Sequence, residues 1–308
     1  MPRKSTTRRN TTNSAPRPHP FPPGEVVELS WILKAGAITV GVALLCAFVL
    51  LSFVFSRTQW QFVLHPVHTV TATPTSIGLP FTEVHFAVDA SGQPQLDGWW
   101  IPSDSPTDPT VLLLHNGDES IGGALPLAAD LHGARLNVFV FDYRGYGNSA
   151  GQHPTEAMME TDANSALNYL TSTRAIPLAS IVVYGNGLGA SLATTLCVQH
   201  PQIAALILES PDGDMLPRVQ QDNRTKLFPV RLLFHENFPL AAPLRTLNTP
   251  KLIITYNGTP IHLDRTQVSD PKLTVELPLS PSSNVHESLR RFLDSYVAHP
   301  PGVLTPHP

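Results

Sequence analysis

The stretch Ile181-Val-Val-Tyr-Gly-Asn-Gly-Leu-Gly-Ala-Ser191 decides how the chain is read. Ile181 to Tyr184 is a β-branched and aromatic run that suits a buried strand. Gly185 to Gly189 supplies a tight turn, and Leu188 to Gln199 reads as a helix. In this strand, turn and helix context, a Gly-x-Ser-x-Gly turn holds a serine hydroxyl out at the end of a sheet. Both outer glycines are present. The middle position is Gly187, which has no side-chain atom to attack with.

Working outward, Val111–Leu114, Val138–Phe141, Ala205–Leu208 and Leu252–Thr255 are further short, unbroken apolar runs. Helical patterns at Leu125–Leu131, Thr155–Leu170 and Leu188–Gln199 lie between most of them. Strands buried on both faces and alternating with helices predict a mostly parallel sheet with helices on both faces. Ahead of it, Thr82–Val88 and Leu96–Ile101 flank the turn Asp89-Ala-Ser-Gly92 and predict an antiparallel hairpin. Leu273–Leu277 is a last strand and Val285–Val297 a last helix. Residues 212–243 break the alternation. Their apolar content fits either a cap over the carboxyl ends of the strands, where such sheets bind ligands, or a plain surface crossover.

The N-terminal third is organised differently. Residues 1–30 are basic and Pro-rich, with too few apolar residues to offset the entropy of ordering, and read as a disordered arm. Ala35 to Phe55 is 21 residues without a charge, the length a helix needs to cross a bilayer. Residues 31–56 therefore read as a transmembrane anchor. Six basic residues precede the span and only Arg57 closely follows it, which predicts a cytoplasmic N-terminus and a domain on the outer side. A cleaved signal peptide competes, but the apolar run exceeds the usual h-region. Residues 57–80 read as a linker into a domain over 57–298, and 299–308 as a disordered tail. A net charge of −4 gives no reason to expect a nucleic-acid partner. Cys46 and Cys197 are too few for a disulfide framework and read as packing residues.

Several stretches then share one likeness. Leu112-Leu-Leu-His-Asn116 is similar to a strand followed by a His-Gly loop. Phe141-Asp-Tyr-Arg-Gly-Tyr-Gly-Asn-Ser149 followed by Gly151 matches an Asp-Tyr-Arg-Gly-Tyr-Gly-x-Ser-x-x-Gly loop, and Leu208-Glu-Ser-Pro211 and Phe228-Pro-Val-Arg-Leu-Leu233 add supporting matches. Over about residues 60 to 298 the chain resembles an α/β-hydrolase, more narrowly the membrane-anchored members of the serine-aminopeptidase-like group. The resemblance implies an α/β-hydrolase fold and, in ordinary members, hydrolysis of ester, amide or related acyl bonds.

Carried over residue by residue, the likeness puts the nucleophile position at Gly187 and the acid position, three residues past Gly258, at Ile261. It puts the base at His286, just before the last helix. The oxyanion donors would be the Leu188 backbone N–H and one from the loop Asn116, Gly117, Asp118. That loop reads His-Asn-Gly-Asp-Glu where the family has His-Gly-Asn-Ala-Gly, and the carboxylates Asp118 and Glu119 are adverse to an oxyanion. Asp264, Asp212 and Asp214 lie near acid positions but read as solvated loop residues. Ser191, one turn past the elbow, faces the packed side of its helix.

Nucleophile, acid and oxyanion loop depart together, while strands and turn glycines stay. This predicts a membrane-anchored α/β-hydrolase-fold protein that binds a small molecule or protein in the former pocket without hydrolysing it. The alternative is an active hydrolase of acyl bonds using His286 with water or an unrecognised nucleophile. No cofactor or metal is called for. Gly185–Ala190 lacks the G-x-G-x-x-G spacing, and the 13 histidines show no zinc-ligand spacing.

Overall fold

The computed structural model describes residues 28–89, 92–258, 263–278 and 283–298. They fall into two compact units, Met1–Leu51 and Ser52–Pro308. The first unit holds most of helix α1 (Leu29–Thr58). Its long apolar side chains are exposed, and the segment Leu29–Phe62 is long and apolar enough to cross a membrane.

The second unit is built on eight strands: β1 (Thr82–Ala87), β2 (Pro94–Ile101), β3 (Thr110–Leu114), β4 (Asn137–Phe141), β5 (Ile181–Asn186), β6 (Ala205–Glu209), β7 (Lys251–Tyr256) and β8 (Lys272–Leu277). They form one sheet in the order β1-β2-β4-β3-β5-β6-β7-β8. β1 pairs antiparallel with β2, and β2 antiparallel with β4. Every other pair is parallel. This is the α/β-hydrolase fold expected from the sequence.

The unbroken apolar runs have a simple cause. Successive residues of a strand point to opposite faces, and here both faces are covered. Leu112, Leu114, Val183, Leu206, Leu208 and Ile253 join one buried cluster, whose helices are α3 (Glu156–Asn168) and α4 (Gly189–Gln199). Val111, Leu113, Val182, Ala205, Ile207 and Leu252 join the other, with α2 (Leu125–Gly133) and α8 (Ser283–Leu293). The start of α3 is fixed by Thr155, whose hydroxyl accepts the Met158 N–H at 3.3 Å, satisfying one orphan donor of the first turn.

One expectation needs revision. Residues 57–80 are not a free linker. They make 3₁₀ turns at Gln59–Phe62 and Pro74–Ile77 and bond directly to the loops at the carboxyl ends of the strands: the His65 N–H to the Gly117 carbonyl at 3.0 Å and the Gly147 N–H to the Val67 carbonyl at 2.8 Å. Charge and polarity read as a linker because the signal lay in backbone groups, which a sequence pattern does not reveal. Residues 212–243, which fit either a cap or a surface crossover, carry the short helices α5 (Met215–Gln221), α6 (Val230–Leu233) and α7 (Ala241–Leu244) and a 3₁₀ turn at Asn223–Thr225. Residues 1–27 of the expected arm and the expected tail lie outside the described residues, and Leu29 and Ser30 already belong to α1.

The sharp turn into α4 depends on two glycines. A Cβ on Gly189 would stand 2.2 Å from the Leu114 carbonyl oxygen, and one on Gly185 would stand 2.5 Å from the Ala190 Cα. Both obstacles are backbone, so helix and sheet would have to part. Gly189→Ala is expected to destabilise the domain by about 1–3 kcal/mol or more, the usual cost of overpacking. Gly122→Ala, whose Cβ would meet nothing nearer than 3.4 Å, is expected to cost far less. Chemical denaturation of the two variants side by side makes the comparison.

Candidate active site

β5 ends at Asn186 and α4 begins at Gly189, so Gly187 and Leu188 form the tip of the turn. Gly187 has φ +55°, a left-handed conformation that glycine adopts without the penalty other residues meet. Its N–H donates to the Glu209 carbonyl at 3.0 Å, and its carbonyl accepts the Asp212 N–H at 2.9 Å. The turn is thus pinned by the end of β6.

The nucleophile position is filled by a neighbour. A Cβ on Gly187 would lie 2.3 Å from Asn116 Oδ1 and 2.4 Å from Asn116 Cγ. That same Oδ1 accepts the Leu188 N–H at 2.9 Å and the Gly117 N–H at 2.8 Å. Two backbone donors from different loops therefore converge on one oxygen, the arrangement that stabilises a developing oxyanion in acyl transfer. Here the oxygen is the chain's own amide carbonyl. The altered loop keeps the donors in place and occupies them. Sequence reading flagged the charges of Asp118 and Glu119 but not this side chain, because the contact joins positions 116 and 188, which no local pattern relates.

Glu119 turns inward and accepts the Asn116 N–H at 3.1 Å; burial raises its carboxyl above the ordinary range. Asp118 lines a cavity of about 380 Å³ together with Asn116, Gly117 and Leu188. The cavity's other walls come from Phe62, Val63 and His65, and from Asp212, Met215, Arg218, Val219 and Asp222. Asp212 is held by the Arg218 guanidinium at 2.8 and 2.7 Å.

The remaining candidates lie apart. His286 stands in the first turn of α8, not before it, and its Nε2 contacts the Asp130 carbonyl at 2.8 Å and the Asp130 carboxylate at 3.8 Å on α2. Ile261 lies outside the described residues. Asp264 bonds the Thr266 N–H and hydroxyl and the Gln267 amide at 3.0, 2.6 and 2.8 Å, and those bonds hold its carboxyl below the ordinary range. Asp214 accepts the N–H groups of Leu240 and Ala241 ahead of α7 at 3.3 and 2.9 Å. Ser191 is buried, and its hydroxyl donates to the Pro239 carbonyl at 2.8 Å. No group of three or more metal-ligating side chains is gathered among the described residues.

Two buried networks support the turn from below. Glu209, at the end of β6, accepts the Tyr184 hydroxyl at 2.8 Å, the Asn186 amide at 3.0 Å and the Tyr256 hydroxyl, tying the ends of β5, β6 and β7 together. The signal for it was a lone glutamate closing an apolar strand. Behind the Asn116 loop, the His115 ring bonds the Asn116 carbonyl through Nδ1 at 2.8 Å, which makes Nδ1 the protonated nitrogen. Its Nε2 faces Asp142 Oδ1 at 3.8 Å, and that oxygen accepts the Ile121 N–H at 2.8 Å. Burial pushes the imidazole down to about 4 and the Asp142 carboxyl up to about 7.

The geometry agrees with the comparisons. The sequence profile of the family described as serine aminopeptidase, S33, matches residues 105–265, just over half of the chain. The chain belongs to this family. An uncharacterised protein of Mycobacterium tuberculosis is 36% identical over 163 residues, covering 52% of this chain and 56% of that one. An uncharacterised membrane protein of Saccharomyces cerevisiae is 31% identical over 141 residues, covering 45% and 48%. The chain thus spans about half the length of the curated relatives it matches. Among solved structures, an esterase of Pyrococcus furiosus superposes with a TM-score of 0.59 at 18% identity, covering 76% of this chain and 98% of that one, a likeness of fold.

Gly187→Ser should place its Cβ against Asn116 and force that side chain off both donors, as well as straining the backbone. A loss of about 1–3 kcal/mol is expected. Asn116→Gly in the same background should recover part of it, and a double-mutant cycle by thermal melting measures the coupling. The buried pair gives a pH test. Between about pH 4 and 6.5 the depressed His115 makes the unfolded chain bind more protons, so its contribution to stability rises with pH. The raised Asp142 binds its proton in the folded state first, so its contribution falls with pH over the same window. Asp142→Asn should therefore make the slope of unfolding free energy against pH more positive, by up to about 1.4 kcal/mol per pH unit. An unchanged slope would count against the buried pair.

Proposed function

We propose that this chain is a membrane-anchored member of its family that binds a ligand in the old active-site cavity without hydrolysing it. The observation that carries the reading is Asn116 Oδ1, which takes both oxyanion donors beside a glycine at the nucleophile position. Acyl transfer needs a nucleophile, a base to deprotonate it, and free donors for the oxyanion. The turn offers no hydroxyl, Ser191 points into the packed interior, and the histidine at the base position is engaged with Asp130. The cavity itself is in the size range that holds small molecules. Its mixture of apolar wall and Asp, Arg and His side chains suits an amphipathic ligand.

The apolar helix Leu29–Thr58 supports the anchor. The basic flank ahead of that helix supports a cytoplasmic N-terminus and a domain on the outer side. The division of labour would then be a basic arm inside, a single span over 31–56, and a binding domain over 57–298, with residues 212–222 forming part of the cavity wall. The net charge of −4 gives no support to a nucleic-acid partner.

The purified full-length chain is expected to remain unlabelled by a fluorophosphonate probe and to show no turnover of short-chain esters above buffer. Labelling that disappears in one particular Ser→Ala variant would overturn the proposal. So would ester turnover abolished by His286→Ala, which would instead favour water-based hydrolysis.

A further inference from the structure

Leu227 is 85% exposed and Leu232 is 74% exposed, the two most exposed large apolar side chains among the described residues, those of the membrane-span helix included. Their neighbours are turned the other way: Val230 and Phe234 are buried. A short surface segment that buries one set of apolar residues and offers another to solvent is anchored from beneath and has something to meet above. Scattered single exposed leucines need no explanation, but these two stand in one segment, on either side of the buried Val230.

The surroundings identify the partner. Phe228 stacks on Phe55 with ring centroids 5.0 Å apart and planes 10° apart. Phe55 lies in the last turn of α1, the helix that is apolar enough to cross a membrane. The segment is therefore packed on the place where that helix leaves its apolar stretch. It is also basic. Lys226 and Arg231 are exposed and make no ion pair with any described residue. Arg224 is paired with Asp222 and lies over the Phe62 ring. Exposed leucines flanked by cations, at the end of an apolar helix, have the composition of a surface that settles into the headgroup boundary of a bilayer.

We propose that residues 224–233 dock on the bilayer that α1 enters, with Leu227 and Leu232 in the interfacial layer and Lys226 and Arg231 on anionic headgroups. The cavity described above, whose wall includes Phe62 and Asp222, then opens beside the lipid surface. The inference rests on the anchor reading.

The test uses the full chain reconstituted in phosphatidylcholine vesicles with and without phosphatidylserine, carrying an environment-sensitive fluorophore at one cysteine. Cys197 is buried. Native Cys46 serves as one labelling site; Leu232→Cys and Val198→Cys, each with Cys46→Ser, supply the others. Val198 is an exposed apolar residue of α4 and serves as the control. The expected result is quenching at 46 by deep nitroxide lipids, at 232 by shallow nitroxide lipids, and at 198 by aqueous iodide. Replacing Lys226 and Arg231 by Gln should lower shallow quenching at 232 in anionic vesicles, by up to about fivefold per charge removed. If 46 is lipid-quenched while 232 is as open to iodide as 198, docking is overturned and the anchor stands. If 232 is shielded from iodide but not lipid-quenched, a protein surface covers it and docking is again overturned. If 46 is not lipid-quenched, the anchor reading fails, and the docking inference with it.

Discussion

The Cα of Gly189 lies against the carbonyl of Leu114 with no room for a side chain between them, and much of the site follows from that contact. Because α4 sits so close to β3, its first N–H groups stand directly over the loop that leaves β3. The Leu188 N–H and the Gly117 N–H therefore reach the same point in space, where Asn116 places its amide oxygen. The contact is steric and backbone-based, so it does not depend on which side chains stand at the tip of the turn. A fold of this kind keeps its oxyanion donors whether or not it uses them.

What fills the donors sets the character of the site. An N–H left buried without an acceptor costs free energy of the order of a lost hydrogen bond. Water, a ligand or a side chain can supply the acceptor. Here a side chain of the same loop does so, held in turn by Glu119 on the Asn116 N–H and by His115 on the Asn116 carbonyl. The glycine at 187 is the complement of that arrangement: its missing Cβ leaves the volume that Asn116 occupies. The two residues fit each other, since a Cβ at 187 would meet the Asn116 amide. This mutual fit is what the proposed loss of hydrolysis rests on.

Around this point several buried polar groups are answered by side chains. Glu209 ties three strand ends together through Tyr184, Asn186 and Tyr256. Arg144 closes on the buried Asp162 at 2.6 Å and also donates to the Met158 carbonyl. The Tyr143 and Tyr146 hydroxyls cap the carbonyls of His115 and Gly117. The Asp-Tyr-Arg-Gly-Tyr-Gly loop is therefore a brace for the Asn116 loop, which gives its close match to the family pattern a structural reason apart from catalysis. The segment after α1 completes the enclosure through the Gly117 and Gly147 backbones.

The sequence by itself determined the sheet, the long apolar helix and the elbow turn, because each rests on a local period or on a residue type with one backbone role. Continuous apolar runs announced strands covered on both faces. Glycines at 185, 187 and 189 announced a turn that tolerates no Cβ, and the missing side chain at 187 is read directly from the sequence. Only the tertiary structure decided what stands beside Gly187. Asn116 meets Leu188 across 72 positions of chain, Ser191 spends its hydroxyl on Pro239 across 48, and His286 turns to Asp130 across 156. Such pairings are set by how helices and loops pack over the sheet. A side chain's hydrogen-bond partner is chosen by what the fold brings within about 3 Å, and no spacing along the chain encodes that.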